Sequence, residues 1–246
     1  MSSVNSHLKI GDFLFRYRGQ FPIFLFLSCI PFIYFFDNVY NDSDIIIWNI
    51  ISFSSILIGL FIRFYTVGTT PKGTSGRNRY VQIADTLNTK GIYSIVRNPL
   101  YLGNFFIWLG IATFTYNIYF ILFTFFFFGI FYKFIILSEE HFLSKKFGSV
   151  YLDWYNKTPS FIPFFNKYTR SDVEFSYKSL LRREYPGVLS ISVGLTYVDF
   201  LRLSIEYHTM KISFYMLIFL IITLLTSIVL KFMKTYTDIL KEENRS

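Results

Sequence analysis

Residues 91–110, GIYSIVRNPLYLGNFFIWLG, set a charged turn directly before an apolar segment. Arg97 and Asn98 precede Pro99, and from Leu100 onward the stretch is almost entirely apolar. Proline suits the first turn of a helix, and the residue before a proline resists the helical conformation. The sequence therefore predicts a helix that begins near Pro99, with Arg97 just outside it.

The composition around this stretch is that of an integral membrane protein. Of the 246 residues, 52% are hydrophobic, 22% aromatic and only 16% charged, which is unusual for a soluble domain. Several apolar stretches approach or exceed the roughly 17 to 20 residues that a helix needs to cross a bilayer, which argues against a large soluble core. We predict an all-α, multi-pass helical bundle with six spans, at residues 21–36, 45–62, 100–116, 118–137, 186–205 and 212–230. The first is short and the fifth carries Asp199 and Arg202, so each has the alternative of lying along the interface.

The distribution of charge predicts the orientation of the bundle. The turn between the first two spans holds three aspartates and no Lys or Arg, whereas the loop after the second span is basic. The positive-inside rule puts that loop in the cytosol, or on the cytosolic side of the inner membrane if the source is bacterial. The net charge of +8 is explained by this topology and by anionic lipid headgroups, and no pattern indicates nucleic-acid binding.

A second block of motif residues follows one apolar hairpin downstream. It consists of Glu139-Glu140, Leu143, Phe147-Gly148, Tyr151, Trp154, Pro159 and Phe161-Ile162-Pro163. With the first block, Arg97 to Gly103, it resembles the Arg-His-Pro-x-Tyr-x-Gly and Glu-Glu-x-x-Leu patterns of the isoprenylcysteine carboxyl methyltransferase and phospholipid methyltransferase superfamily. These are integral membrane enzymes that use S-adenosylmethionine. Asn98 stands where His is usual and Trp154 where Tyr is usual, so position 98 has no titrating group.

The resemblance implies a binding site for S-adenosylmethionine, and the charge distribution predicts that this site faces the cytosol. The residues it assigns to the cofactor are Tyr93, Asn98, Pro99, Tyr101, Gly103, Glu139, Glu140, Tyr151 and Trp154. It places Arg97 at the catalytic centre, where it orients an anionic acceptor or the cofactor carboxylate. Most of these assignments have a structural alternative: a snorkelling position beside the helix for Arg97, a solvated helix end for the two glutamates, an interfacial aromatic belt for the tyrosines and Trp154, and close helix packing for Gly103.

The acceptor is expected to be a lipid or lipid-like molecule, with an anionic phosphate or carboxylate oxygen favoured. Such an oxygen requires no general base, but it requires a cation, and guanidinium groups hold it with two hydrogen bonds. Arg77 and Arg79, in a loop without carboxylates, are the candidate substrate-binding residues, with topology alone as the alternative explanation. The functional alternatives are an amine N-methyltransferase of phospholipids and an NADPH-dependent sterol or enone reductase of related architecture. A channel or scaffold explains the spans but not the paired blocks.

The chain divides into three predicted parts. Residues 1–88 form membrane spans and the basic loop, residues 89–165 form the catalytic core, and residues 166–246 form a linker and an extra membrane hairpin. The simpler interpretation of that hairpin is that it stabilises the bundle or forms a dimer contact. The alternative is that it helps to select the substrate. The single cysteine and the three widely separated histidines predict no metal site, and the oligomeric state stays open.

Overall fold

The computed structural model describes residues 2–35, 41–74, 82, 84–242 and 245, and this part of the chain is helical without any β-strand. In chain order the helices are α1 (Ser2–Tyr17), α2 (Phe21–Leu27), α3 (Cys29–Phe35), α4 (Asp42–Gly68), α5 (Pro99–Thr113), α6 (Ile118–Phe147), α7 (Ser149–Lys157), α8 (Tyr177–Tyr207) and α9 (Phe214–Tyr236). Short 3₁₀ turns lie at Ile92–Ser94 and Phe165–Lys167. The predicted all-helical membrane fold is confirmed.

The described residues contain four or five candidate spans, whereas the sequence predicted six. In the described chain α4, α6, α8 and α9 are long and apolar enough to cross a membrane, and a fifth span arises if α1 and the α2–α3 segment, bent by 81°, count as one. The difference lies in the predicted span 100–116, where the helix α5 has only 15 residues. At 1.5 Å per residue it is about 22 Å long, short of the roughly 30 Å hydrocarbon core. It ends because Tyr116 adopts φ 57° and Asn117 caps the next helix.

Close packing of α5 on α4 fixes the position of the first motif block. A Cβ atom added to Gly103 would lie 2.5 Å from Arg63 Cγ and 2.9 Å from the Gly59 carbonyl oxygen. Across the same contact, Ser52 Oγ donates to the Gly110 carbonyl at 2.7 Å. The glycines therefore bring the two helix backbones together, which is the packing alternative that the sequence offered for Gly103.

The C-terminal hairpin packs against the rest of the bundle through α8. This helix starts at Tyr177, before the predicted span, and runs through Pro186. It contacts α3, α4 and α5, and α9 packs on its other side. The two charged residues of its predicted span have protein partners: Asp199 accepts from the Ser213 N–H at 2.7 Å, and the Arg202 guanidinium lies 3.4 Å from the centre of the Tyr116 ring. Such partners allow a membrane helix to carry charge.

Candidate active site

The two motif blocks interlock at the start of α5. The backbone N–H of Arg97 donates to the Pro159 carbonyl at 2.9 Å, and the Phe164 N–H donates to the Ile95 carbonyl at 2.9 Å. Asn98 Nδ2 donates to both the carbonyl and the hydroxyl oxygen of Ser160 at 3.1 Å. Asn98, where the superfamily usually has His, therefore holds the Pro-x-Phe-Ile-Pro segment by an amide. The structure thus brings together blocks that are some sixty residues apart in the sequence.

The guanidinium of Arg97 completes this connection. Its Nε and Nη2 donate to Glu140 Oε1 at 3.1 and 2.8 Å, and its Nη1 donates to the carbonyls of Tyr155 and Thr158 at 2.9 and 2.6 Å. The guanidinium carbon lies 3.9 Å from the centre of the Tyr155 ring, and only 9% of the Arg97 side chain is exposed. Four hydrogen bonds thus join the N-terminus of α5 to α6 and to the end of α7.

Both blocks line one large opening in the bundle, which we call the central cavity. Its volume is about 1120 Å³. The predicted site residues that line it are Tyr93, Arg97, Asn98, Pro99, Tyr101, Glu139, Glu140, Tyr151 and Trp154. Gly103 does not line it, because this residue faces α4. Arg77 and Arg79 lie outside the described residues, and their predicted role in substrate binding stays a prediction.

Aromatic residues form the wall beneath the second block. Trp154 Nε1 donates to the Tyr93 carbonyl at 2.9 Å, and the rings of Tyr151 and Trp154 meet edge to face with centroids 5.7 Å apart. Burial raises the pKa of Tyr93 to about 12, although nearby Arg183 opposes the shift. Burial likewise raises the pKa of Tyr151, which is 2% exposed. Both hydroxyls therefore remain protonated and neutral at physiological pH.

Several polar groups of the cavity wall have no hydrogen-bond partner in the described part of the chain. They are Tyr151 OH, Arg18 Nη1 and Tyr197 OH. Buried polar groups are nearly always hydrogen-bonded, because leaving one unpaired costs about 1 to 3 kcal/mol. Three such groups facing one cavity indicate a polar ligand.

The sequence did not single out a buried polar network on the opposite wall. Arg63 of α4 forms a two-pronged ion pair with Glu184 of α8 at 2.8 and 2.9 Å, and its Nη1 donates to Asn104 Oδ1 at 2.6 Å. Asn104 Nδ2 in turn donates to Tyr132 OH at 3.0 Å. All four residues line the cavity. One feature of the sequence could have pointed to this network: Arg63 directly follows the apolar run 45–62, and an ionisable residue in or next to a membrane span often has a function.

Two further cationic residues of the cavity wall were also missed. Arg18 follows α1, with its guanidinium carbon 3.7 Å from the centre of the Phe15 ring, and Arg183 on α8 is 8% exposed. In the sequence both look like ordinary charges flanking an apolar run. Only the packing of α1 and α8 reveals that they line the same cavity as the motif blocks.

Part of the chain matches a known protein family. Residues 48–150, from α4 to the start of α7, match the family described as phospholipid methyltransferase. These residues are about two fifths of the chain, and they are similar to the isoprenylcysteine and phospholipid methyltransferase superfamily. The resemblance indicated by the motif blocks is confirmed over these residues, and the matched family is one of membrane methyltransferases that act on lipid-like substrates. No curated protein and no solved structure matches the chain. Helices α1–α3, α8 and α9 lie outside the matched residues.

Proposed function

We propose that this protein is a membrane methyltransferase that uses S-adenosylmethionine and methylates an anionic oxygen of a lipid-like acceptor in the central cavity. The observation that supports this most is the interlocking of the two motif blocks around one cavity whose wall contains unpartnered buried groups. The charge asymmetry of the sequence supports a cytosolic orientation of the motif end of the bundle.

The residues present fit the cofactor. The hydroxyl of Tyr151 is buried without a partner in the described chain, and it lines the cavity beside Trp154. Tyr93, Tyr101, Tyr151 and Trp154 would surround the adenosine and sulfonium groups, because aromatic faces attract organic cations. Glu139 would accept from the amino group or the ribose. When bound, S-adenosylmethionine supplies a methyl group whose bond to a cationic sulfur breaks as the acceptor oxygen bonds to the methyl carbon, without any proton transfer.

The contribution of the protein is chiefly positioning. Arg97 fixes the Glu140 carboxylate and the loop after α7, so in this proposal it acts by holding the second block in place. Orientation of the two reactants is the main source of rate in a displacement that needs no base. The hydroxyl of Tyr151, which stays neutral and has no partner in the described part of the chain, is available as a hydrogen-bond donor to a bound molecule.

Methylation of a phospholipid amine is the second candidate. It requires a base for the departing proton. Glu139 is the observation that favours it, because this carboxylate lies in the cavity beside Tyr101. The description of the matched family also names phospholipids. An amine acceptor would make Glu139→Gln far more damaging than an anionic acceptor would.

Calorimetry on detergent-purified protein tests the cofactor. We expect binding of S-adenosylmethionine and of its demethylated product, weaker binding in Tyr151→Phe, and no binding of NADPH. Binding of NADPH without binding of S-adenosylmethionine would contradict the proposal and favour the reductase alternative. Lipid mass spectrometry of a deletion strain, searching for a lipid that has lost one methyl group, then identifies the acceptor.

A further inference from the structure

The central cavity extends well beyond the motif blocks, between two helices outside the matched family residues. On α2 its wall is formed by Pro22, Ile23, Phe26 and Leu27, whose spacing puts them on one helical face. On α8 the wall is again one face, from Gly187 through Ser190 and Val193 to Tyr197. We call this part of the cavity, between α2 and α8, the side slot.

Apart from Ser190 and the Tyr197 hydroxyl, the side slot is apolar, and several of its side chains are exposed on the outside of the bundle. Ile23 is 59% exposed, Leu27 50% and Val193 50%. Exposed apolar side chains on helices of a membrane bundle face lipid tails. A hydrocarbon chain can therefore enter the slot from the surrounding bilayer without crossing water, while the polar end of the same molecule reaches the motif residues along a continuous cavity.

Arg18 lies in the cavity wall next to α2, within electrostatic range of Glu139 in the second motif block. It is four residues from Pro22, lines the same cavity, and has a buried Nη1 without a hydrogen-bond partner in the described part of the chain. Its guanidinium rests on the Phe15 ring, which fixes its orientation. A guanidinium N–H of this kind is best satisfied by an anionic oxygen.

We propose that Arg18 holds the anionic headgroup of the acceptor, a phosphate or a carboxylate, while the acceptor's hydrocarbon chain lies in the side slot between α2 and α8. This proposal rests on the proposed function and assigns substrate selection to residues outside the matched family segment. The acceptor fits this place better than the cofactor does, because S-adenosylmethionine has no hydrocarbon chain to cover the apolar faces.

Lipid binding by Arg18 variants tests the headgroup assignment. Detergent-purified parent, Arg18→Gln and Arg18→Lys are titrated with phosphatidic acid, with a fatty acid and with diacylglycerol, and tryptophan fluorescence reports binding. We expect the Gln variant to bind one of the two anionic lipids, the one whose headgroup matches the acceptor, about tenfold to hundredfold more weakly than the parent does. Its affinity for diacylglycerol should be unchanged. The Lys variant keeps the positive charge but cannot form the two-pronged hydrogen bonds of a guanidinium, so we expect a smaller loss of affinity. The two anionic probes distinguish a phosphate from a carboxylate headgroup.

A pair of glycine variants tests the slot. A Cβ atom on Gly187 would meet only Glu184 Oε2, at 3.7 Å, so Gly187→Leu can project into the cavity without a backbone clash. Gly129→Leu on α6 is the matched control, because nothing lies within 4 Å of its Cβ position and Gly129 does not line the cavity. We expect Gly187→Leu to weaken binding of an eighteen-carbon lipid about tenfold relative to a six-carbon analogue, and Gly129→Leu to leave both unchanged.

Three outcomes would overturn the proposal. The first is that Arg18→Gln weakens binding of the demethylated cofactor but not of any lipid, which assigns Arg18 to the cofactor. The second is that lipid affinity is the same in parent and Arg18→Gln. The third is that Gly187→Leu and Gly129→Leu have equal effects. If the parent binds neither S-adenosylmethionine nor its product yet shows the expected lipid effects, the lipid site stands and the proposed function fails.

Discussion

Replacement of Arg97 by lysine is the most direct test of the interlocked motif blocks. The guanidinium makes four hydrogen bonds, two to Glu140 and one each to the carbonyls of Tyr155 and Thr158. A lysine ammonium is a compact point charge that can keep the carboxylate contact but does not reproduce the fork. We expect at least two of these bonds to be lost. At about 1.5 to 3 kcal/mol for each bond to a charged group, the loss is about 3 to 6 kcal/mol.

This free energy holds the second block against α5, so its loss should reduce the affinity for the demethylated cofactor. A loss of about 3 kcal/mol corresponds to roughly a hundredfold weaker binding, measured by calorimetry. Hydrogen exchange should rise in residues 149–164 and stay unchanged in α9. Lys90→Met is the control, because the Lys90–Asp172 ion pair is 52% and 67% exposed and such pairs contribute little. Parent-like affinity and exchange in Arg97→Lys would refute the reasoning.

Three further predictions concern packing and topology. Gly103→Ala would put a Cβ atom 2.5 Å from Arg63 Cγ, so we expect a loss of about 1 to 3 kcal/mol in a thermal melt, and an unchanged melting temperature would contradict the close α4–α5 contact. Glu184→Gln breaks the buried ion pair between α4 and α8, and should cost about 3 kcal/mol in the same assay, with partial recovery when Arg63→Met is added. Single cysteines at Ser43 and Ser149 in a cysteine-free background should be labelled from opposite sides of the membrane, and labelling of both from one side would remove the predicted orientation.

The sequence located most of the candidate site because its residues are grouped in short motifs. Pro99 begins α5 as predicted, and eight of the nine predicted cofactor residues line one cavity. Gly103 is the exception, since spacing along a helix does not tell which neighbour a glycine approaches. Its close contact with α4 became visible only when both helices were in place.

The opposite wall of the cavity was beyond the reach of sequence patterns. Arg63 and Glu184 are 121 residues apart, and nothing near either residue indicates that they meet. The same holds for Arg18, whose position depends on the docking of α1 along α6. Hydrophobic periodicity predicts that a helix exists, but the partner of each face is set by tertiary packing. The length of α5 was overestimated for a related reason, because the apolar run continues past the helix end through Phe114 and Tyr116.

The ion pair between α4 and α8 also bears on how the protein is made. During synthesis Arg63 is translated 121 residues before Glu184, and a charged group on a membrane helix without its ion-pair partner is costly. The emerging chain therefore carries an unneutralised arginine until α8 arrives. Newly made molecules should pass through a stage in which α4 is loosely held and accessible to water. Insertion of α8 then ends this stage and supplies one wall of the cavity. A chain whose synthesis stops before Glu184 keeps the unneutralised arginine and is therefore exposed to membrane quality control.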